Sequence, residues 1–156
     1  MCYREPAKAV KIDAKQAHCL AVMIYGEARG ESELGQRAVA FTSVNRAVKK
    51  TVCKVVLAPK QYSIFNGNAA LKAAAMSMHL EPIQKNVIDK ASWDRAVRVA
   101  NDVLQKKVDD PTLGSTHYIS DTVMKAKRYI YPKWSKEYIH VATIGGHRFF
   151  REKLKA

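Results

Sequence analysis

Acidic side chains are scarce in this sequence of 156 residues: 14 Asp plus Glu stand against 27 Lys plus Arg, a formal net charge of +13. That imbalance suits a polyanionic partner, either nucleic acid or the anionic polymers of a cell envelope; on charge alone a non-catalytic basic module binding one of these is an open alternative, and charge does not choose a fold. Glycine and proline are few, at 7 and 5, which excludes collagen-like and low-complexity chains. Long apolar runs are missing. The longest uncharged one, Cys19 to Gly26, falls far short of the roughly 20 residues that cross a bilayer, so no transmembrane segment is expected. The opening Met1-Cys2-Tyr3-Arg4-Glu5-Pro6 has no apolar stretch and no small-residue cleavage site. The expectation is a protein without a secretory signal, kept in the cytoplasm unless something else releases it. Cys2, Cys19 and Cys53 include no C-x-x-C pair. An odd, widely spaced set argues against a disulfide framework and a cysteine zinc site, so the thiols are expected to be reduced, with Cys19 and Cys53 buried as small apolar groups.

What is present suffices for a real core, because 47% of the residues are hydrophobic. No repeat, charge block or linker divides the chain, so residues 1–156 read as a single domain with two lobes. Asp13 caps a helix over 13–29, with Ala17, Leu20, Ala21, Ile24 and Ala28 on one face and Gly30 as its stop. Ser32 caps a second helix through Lys49, with Leu34, Ala38, Phe41, Val44 and Val48 inward. Thr51 caps a short third, Val52 to Leu57. Residues 60–67 read as an aromatic loop, 69–78 as a short helix, and 92–106 as a helix opened by Ser92. Asp109 to Gly114 is a turn, His117 to Ser120 a strand, and 138–150 a β-hairpin around Gly145-Gly146. The fold class is α+β, mainly helical with a small antiparallel sheet.

Candidate chemistry concentrates in Tyr25-Gly26-Glu27-Ala28-Arg29-Gly30-Glu31. Glu27 follows Leu20 by seven residues and Ile24 by three, at the edge of the apolar face near the helix end. Partial desolvation there disfavours the charged carboxylate and suits general acid/base work; pairing with a neighbouring cation or solvent is the structural alternative. Glu31 and Glu33 are the nearby second carboxylates, which glycoside hydrolysis ordinarily needs, although Glu33 also suits the first turn of the next helix. Gln36, Asn45, Gln61, Tyr62, Ser63, Phe65, Asn66, His117, Tyr118, Trp134 and His147 are of the types that recognise sugars: rings stack on pyranose faces and amides bond hydroxyls. For Asn45 a structural bond is the default explanation. The five histidines show no metal-ligand spacing, so no metal and no cofactor are expected. Phosphate loops, serine elbows and RNA-binding aromatic motifs are absent, and specific nucleic-acid binding is not expected.

The string Ala21 to Glu31, then Gly35-Gln36-Arg37-Ala38-Val39-Ala40 and Val44-Asn45-Arg46, resembles the SleB/CwlJ-type cell wall hydrolases, among them spore cortex-lytic enzymes and phage endolysins. Thr51 to Val56, Gln61-Tyr62-Ser63, Asp110-Pro111-Thr112, Thr116-His117-Tyr118, Pro132-Lys133-Trp134 and Ala142 to Phe150 follow in the same order, so the resemblance spans about residues 17–151. It implies a lysozyme-like fold and a peptidoglycan substrate cleaved between N-acetylmuramic acid and N-acetylglucosamine. Glu27 is then the one essential acid of a lytic transglycosylase yielding a 1,6-anhydro product. The resemblance also allows a muramidase in which Glu31 assists a water, and it gives Glu31 a brace in its loop as the simpler role. The substrate-binding set it implies is Glu31, Gln36, Asn45, Gln61, Tyr62, Ser63, His117, Tyr118 and His147. Segments 62–66 and 119–131 depart from common versions of the family. With no signal and no wall-binding domain in view, a monomeric phage endolysin is the expectation: made in the host cytoplasm, released to the wall by a holin, and helped by its charge to hold anionic envelope polymers.

Overall fold

The computed structural model describes residues 13–58 and 90–153. The segments 60–67 and 69–78, with Gln61, Tyr62, Ser63, Phe65 and Asn66, lie outside the described residues. Helix α1 runs Ala14–Ala28, α2 Glu33–Arg46, α3 Val52–Val56 and α4 Lys90–Leu104. Strand β1, His117–Ser120, leads into α5, Asp121–Ala126, a 3-10 turn at Lys133–Lys136, and strands β2, Ile139–Ile144, and β3, His147–Arg151.

The helix starts follow the capping rule. Asp13 accepts from the Lys15 amide at 2.9 Å, Ser32 from Gly35 at 3.2 Å and Thr51 from Lys54 at 3.2 Å. Each oxygen satisfies an amide that the helix itself leaves without a partner.

The single-stripe reading of α1 and α2 is too narrow. In α1 the buried residues include Cys19, Val22, Met23 and Tyr25 besides the expected positions. In α2 the run from Ala38 to Ser43 is buried without a break. Both helices lie in the middle of the fold: α1 packs on α2, α3 and α4, and α2 also meets the sheet. A helix surrounded on most sides is apolar on most sides. The second helix also ends earlier than expected. It stops at Arg46, Leu34 is 50% exposed, and Val48, beyond the end, is 82% exposed. Helix α4 starts at Lys90 rather than at Ser92 and buries Ala96, Val99, Ala100 and Val103.

The expectation of free thiols is overturned. Cys19 and Cys53 form a disulfide across a separation of 34 residues. Both are buried, as expected. Packing of α3 along α1 brings their Cα atoms to 5.3 Å, within disulfide reach. That approach is a tertiary event which sequence spacing does not encode. Beside it, the Gln16 side-chain oxygen accepts from the Cys53 amide at 2.8 Å.

The sheet has the order β1-β3-β2, antiparallel throughout. Tyr118 pairs with Phe149 and Ser120 with His147 on one side of β3. Ile144 pairs with His147 on the other, and the register shifts between His140 and Ala142, a bulge at Val141. Alternation gives the sheet two faces. Phe149, Tyr118 and Ile144 join the helical core. Ile119 and Phe150 join Met124 in a second, smaller cluster flanked by Tyr131, Trp134 and Tyr138. The expected mainly helical α+β class and the hairpin around Gly145-Gly146 are present; α5 and the 3-10 turn were not anticipated.

Candidate active site

Glu27 sits in the last turn of α1, half-buried, between buried Tyr25 and Ala28. The chain around it is held from several directions. The Glu31 amide donates to the Ala28 carbonyl at 3.0 Å, closing the corner after the helix. Gln36 reaches back from α2, its Nε2 donating to Ala28 O at 3.2 Å and Arg29 O at 3.5 Å. The guanidinium of Arg29 bonds the Tyr25 hydroxyl and lies 4.6 Å from that ring's centroid. Tyr25 in turn meets Trp93 of α4 edge-on at 5.9 Å. The helix end that carries the carboxyl is therefore anchored to α2 and α4.

Glu31 joins this corner to the hairpin. Its Oε2 accepts from the Gly146 amide at 3.4 Å, and its Oε1 lies 3.3 Å from His147 Nδ1. Although Nδ1 is within ion-pairing distance, it has no aligned hydrogen bond. Burial holds His147 below its ordinary pKa, opposed by the charges of Glu31 and Asp121. The left-handed backbone at Gly145 favours glycine where the turn meets this carboxylate. Gly145 has φ +57°, as the first position of a type II′ hairpin needs, and a Cβ there would overlap Glu31 Oε2. A Cβ on Gly146 would stand 3.0 Å from Oε1. From the other side, the Asp121 amide donates to Gly146 O at 2.8 Å.

Three side chains expected to contact sugar have protein partners. Gln36 is fully buried and its amide nitrogen serves the end of α1. Asn45 donates at 2.8 Å to both Asp110 Oδ2 and Ser115 O, so it braces the 109–115 turn, as its default explanation had it. His117 is engaged at both ring nitrogens. Arg46 carries only donors, so Nε2 accepts from its guanidinium at 3.1 Å and Nδ1 bears the proton toward Thr116 Oγ1 at 2.8 Å. Burial first, and the Arg46 charge second, lower its pKa to about 4. Tyr118 is half-buried and stacks edge-on against His147 at 5.1 Å. Glu33 pairs with Arg98 at 2.7 Å and Arg37 at 3.6 Å, in the first turn of α2.

The structure thus brings Glu27, Glu31, Gln36 and His147 to one end of α2, and Asn45 and His117 to the other. Sequence reasoning missed Asp110 and Arg46 as organising residues. Asp110 accepts from Thr112 and Gly114 as well as from Asn45, and the Asp-Pro-Thr-Leu-Gly string was a readable turn signal for it. Among the described residues no three His, Cys, Asp or Glu side chains converge as a metal site, and no helix is long and apolar enough to cross a membrane.

This geometry can be set beside known proteins. A search of curated proteins finds no match. Two solved structures share the fold. The catalytic domain of the Bacillus cereus SleB protein is 20% identical with a TM-score of 0.57, covering 94% of this chain and 98% of its own. The catalytic domain of the germination-specific lytic transglycosylase SleB from Bacillus anthracis is 21% identical with the same TM-score, covering 94% and 99%. The fold is thus the lysozyme-like α+β arrangement of those domains. The family description Cell Wall Hydrolase matches residues 30–150, starting three positions after Glu27. Because that match takes in well over half of the sequence, the chain belongs to the cell wall hydrolase family.

Proposed function

We propose that this protein degrades peptidoglycan as a lytic transglycosylase, with Glu27 as its general acid and base. The observation that carries the reading is the half-buried carboxyl of Glu27 on an anchored helix end, in a member of the cell wall hydrolase family. One of the proteins with the same fold is described as a lytic transglycosylase. In this mechanism protonated Glu27 gives its proton to the glycosidic oxygen between N-acetylmuramic acid and N-acetylglucosamine, and the bond from that oxygen to the anomeric carbon breaks. The carboxylate then removes the proton of the muramic acid 6-hydroxyl as its oxygen closes on the anomeric carbon. Glu27 ends protonated, no water is consumed, and the product is a 1,6-anhydro sugar. A single acid suffices. Glu31 is occupied by Gly146 and His147, which supports a bracing role for it over activation of a water.

The experiment is digestion of purified peptidoglycan followed by mass analysis of the muropeptides. Anhydro ends support the mechanism, reducing ends replace it with hydrolysis, and intact sacculi overturn both. Glu27→Gln is expected to fold and to lose about 10²-fold or more in rate, the contribution of a positioned general acid. The biological reading is an endolysin. Expression inside bacteria is expected to lyse them only when a holin is co-expressed, and lysis without one removes that role.

A further inference from the structure

The smaller lobe carries a cationic surface that the proton transfers proposed for Glu27 do not call on. Between β1 and β2, Lys125, Lys127, Arg128, Lys133 and Lys136 are all exposed. None forms an ion pair with a described residue. The connection holds two acids: Asp121 is taken by Arg148 at 3.2 Å, and Glu137 is exposed beside Lys136. In the same connection two large side chains face water, Tyr129 at 60% and Ile130 at 72% exposure. The backbone holds them there. Arg128 and Tyr129 have φ of +54° and +63°, a left-handed pair rarely occupied by residues other than glycine. The Tyr129 amide donates to Met124 O at 2.7 Å, and Met124 is buried in the small cluster beneath. Met124 points in while Tyr129 and Ile130 stand out.

We propose that this tip docks on an anionic phospholipid surface, Tyr129 and Ile130 entering the headgroup layer while the surrounding cations meet lipid phosphates. The combination decides among partners. A polysaccharide or nucleic-acid polyanion would satisfy the cations but offers no apolar phase for Ile130. A second copy of this chain would meet its own positive charge. A lipid interface takes both: amphipathic rings and short apolar wedges settle at headgroup depth, and clustered Lys and Arg follow the negative surface potential. This goes beyond the cleavage reaction and does not depend on it.

The test is co-sedimentation with vesicles of phosphatidylcholine alone and with vesicles enriched in phosphatidylglycerol, at physiological salt. The protein is expected to pellet only with the anionic vesicles. Tyr129→Ser with Ile130→Ser should weaken that binding about tenfold, as should Lys125→Gln with Lys127→Gln. Tyr129→Trp should preserve it, and because the altered side chains are exposed, thermal melts should stay unchanged. Equal binding to neutral vesicles overturns the proposal. So does loss in the lysine variant with full retention in the Tyr129/Ile130 variant, which would make the tip a site for any polyanion.

Discussion

Glu31 and His147 are 116 residues apart in sequence, yet their side chains approach to 3.3 Å and join the corner after α1 to the turn between β2 and β3. The contact couples the helix end bearing Glu27 to the sheet lobe.

Removing the Glu31 carboxylate tests that coupling. Glu31→Ala leaves the Gly146 amide without its acceptor, a loss of about 1–3 kcal/mol for a partly buried group. If the corner orients Glu27, kcat on peptidoglycan should fall roughly tenfold or more, since small misplacements of a catalytic group are costly. Glu31→Gln retains an acceptor for Gly146 and should recover most of the rate. Equal kcat in Glu31→Ala and wild type would reduce Glu31 to a surface carboxylate.

Gly145→Ala approaches the same contact from the hairpin. The methyl group needs a left-handed backbone and the space of Glu31 Oε2. Strain of this kind costs on the order of 1–3 kcal/mol. Urea unfolding should show the loss in Gly145→Ala, while Gly30→Ala, where an added Cβ meets nothing within 4 Å, should stay close to wild type.

The disulfide is the next test. Closing a 34-residue separation should contribute roughly 3–4 kcal/mol in the chain-entropy account. Cys19→Ser with Cys53→Ser, or wild type in reductant, should shift the urea midpoint downward to a similar degree. Matching midpoints with and without reductant would mean that the bond adds no stability.

How much was legible follows from where each cause lies. Caps are local, so Asp13, Ser32 and Thr51 announced their helices. The Gly145-Gly146 hairpin was readable for the same reason. Burial on most sides of α1 and α2 was not, because periodicity sees one face while the neighbours that cover the others come from α3, α4 and the sheet. The Cys19–Cys53 bond failed on the same ground. At the site, residue type suggested sugar contacts for Gln36 and His117 and a structural bond as the default for Asn45; the structure gives each of the three a protein partner, a demand set by packing that residue type does not encode. The contacts of Glu31 with Gly146 and His147 were not readable, because they join residues more than 110 positions apart.

The last prediction concerns acid. In the folded protein His117 has its pKa lowered to about 4, through burial and then Arg46, with Glu152 opposing. His147 is also lowered, by burial. In the unfolded chain both return toward the ordinary value near 6.5. Between pH 6.5 and about 4 the unfolded state therefore binds protons that the folded state refuses, so these groups make stability fall as pH drops through that window and leave it flat above. Carboxylates add their own acid loss, and the variant isolates the histidine part. His117→Gln can still accept from Arg46, and its urea midpoint should fall less between pH 6.5 and 4 than that of wild type. Parallel slopes for the two proteins would show that the ring is protonated in the folded state, and that the Arg46 to His117 bond is not held in the neutral form.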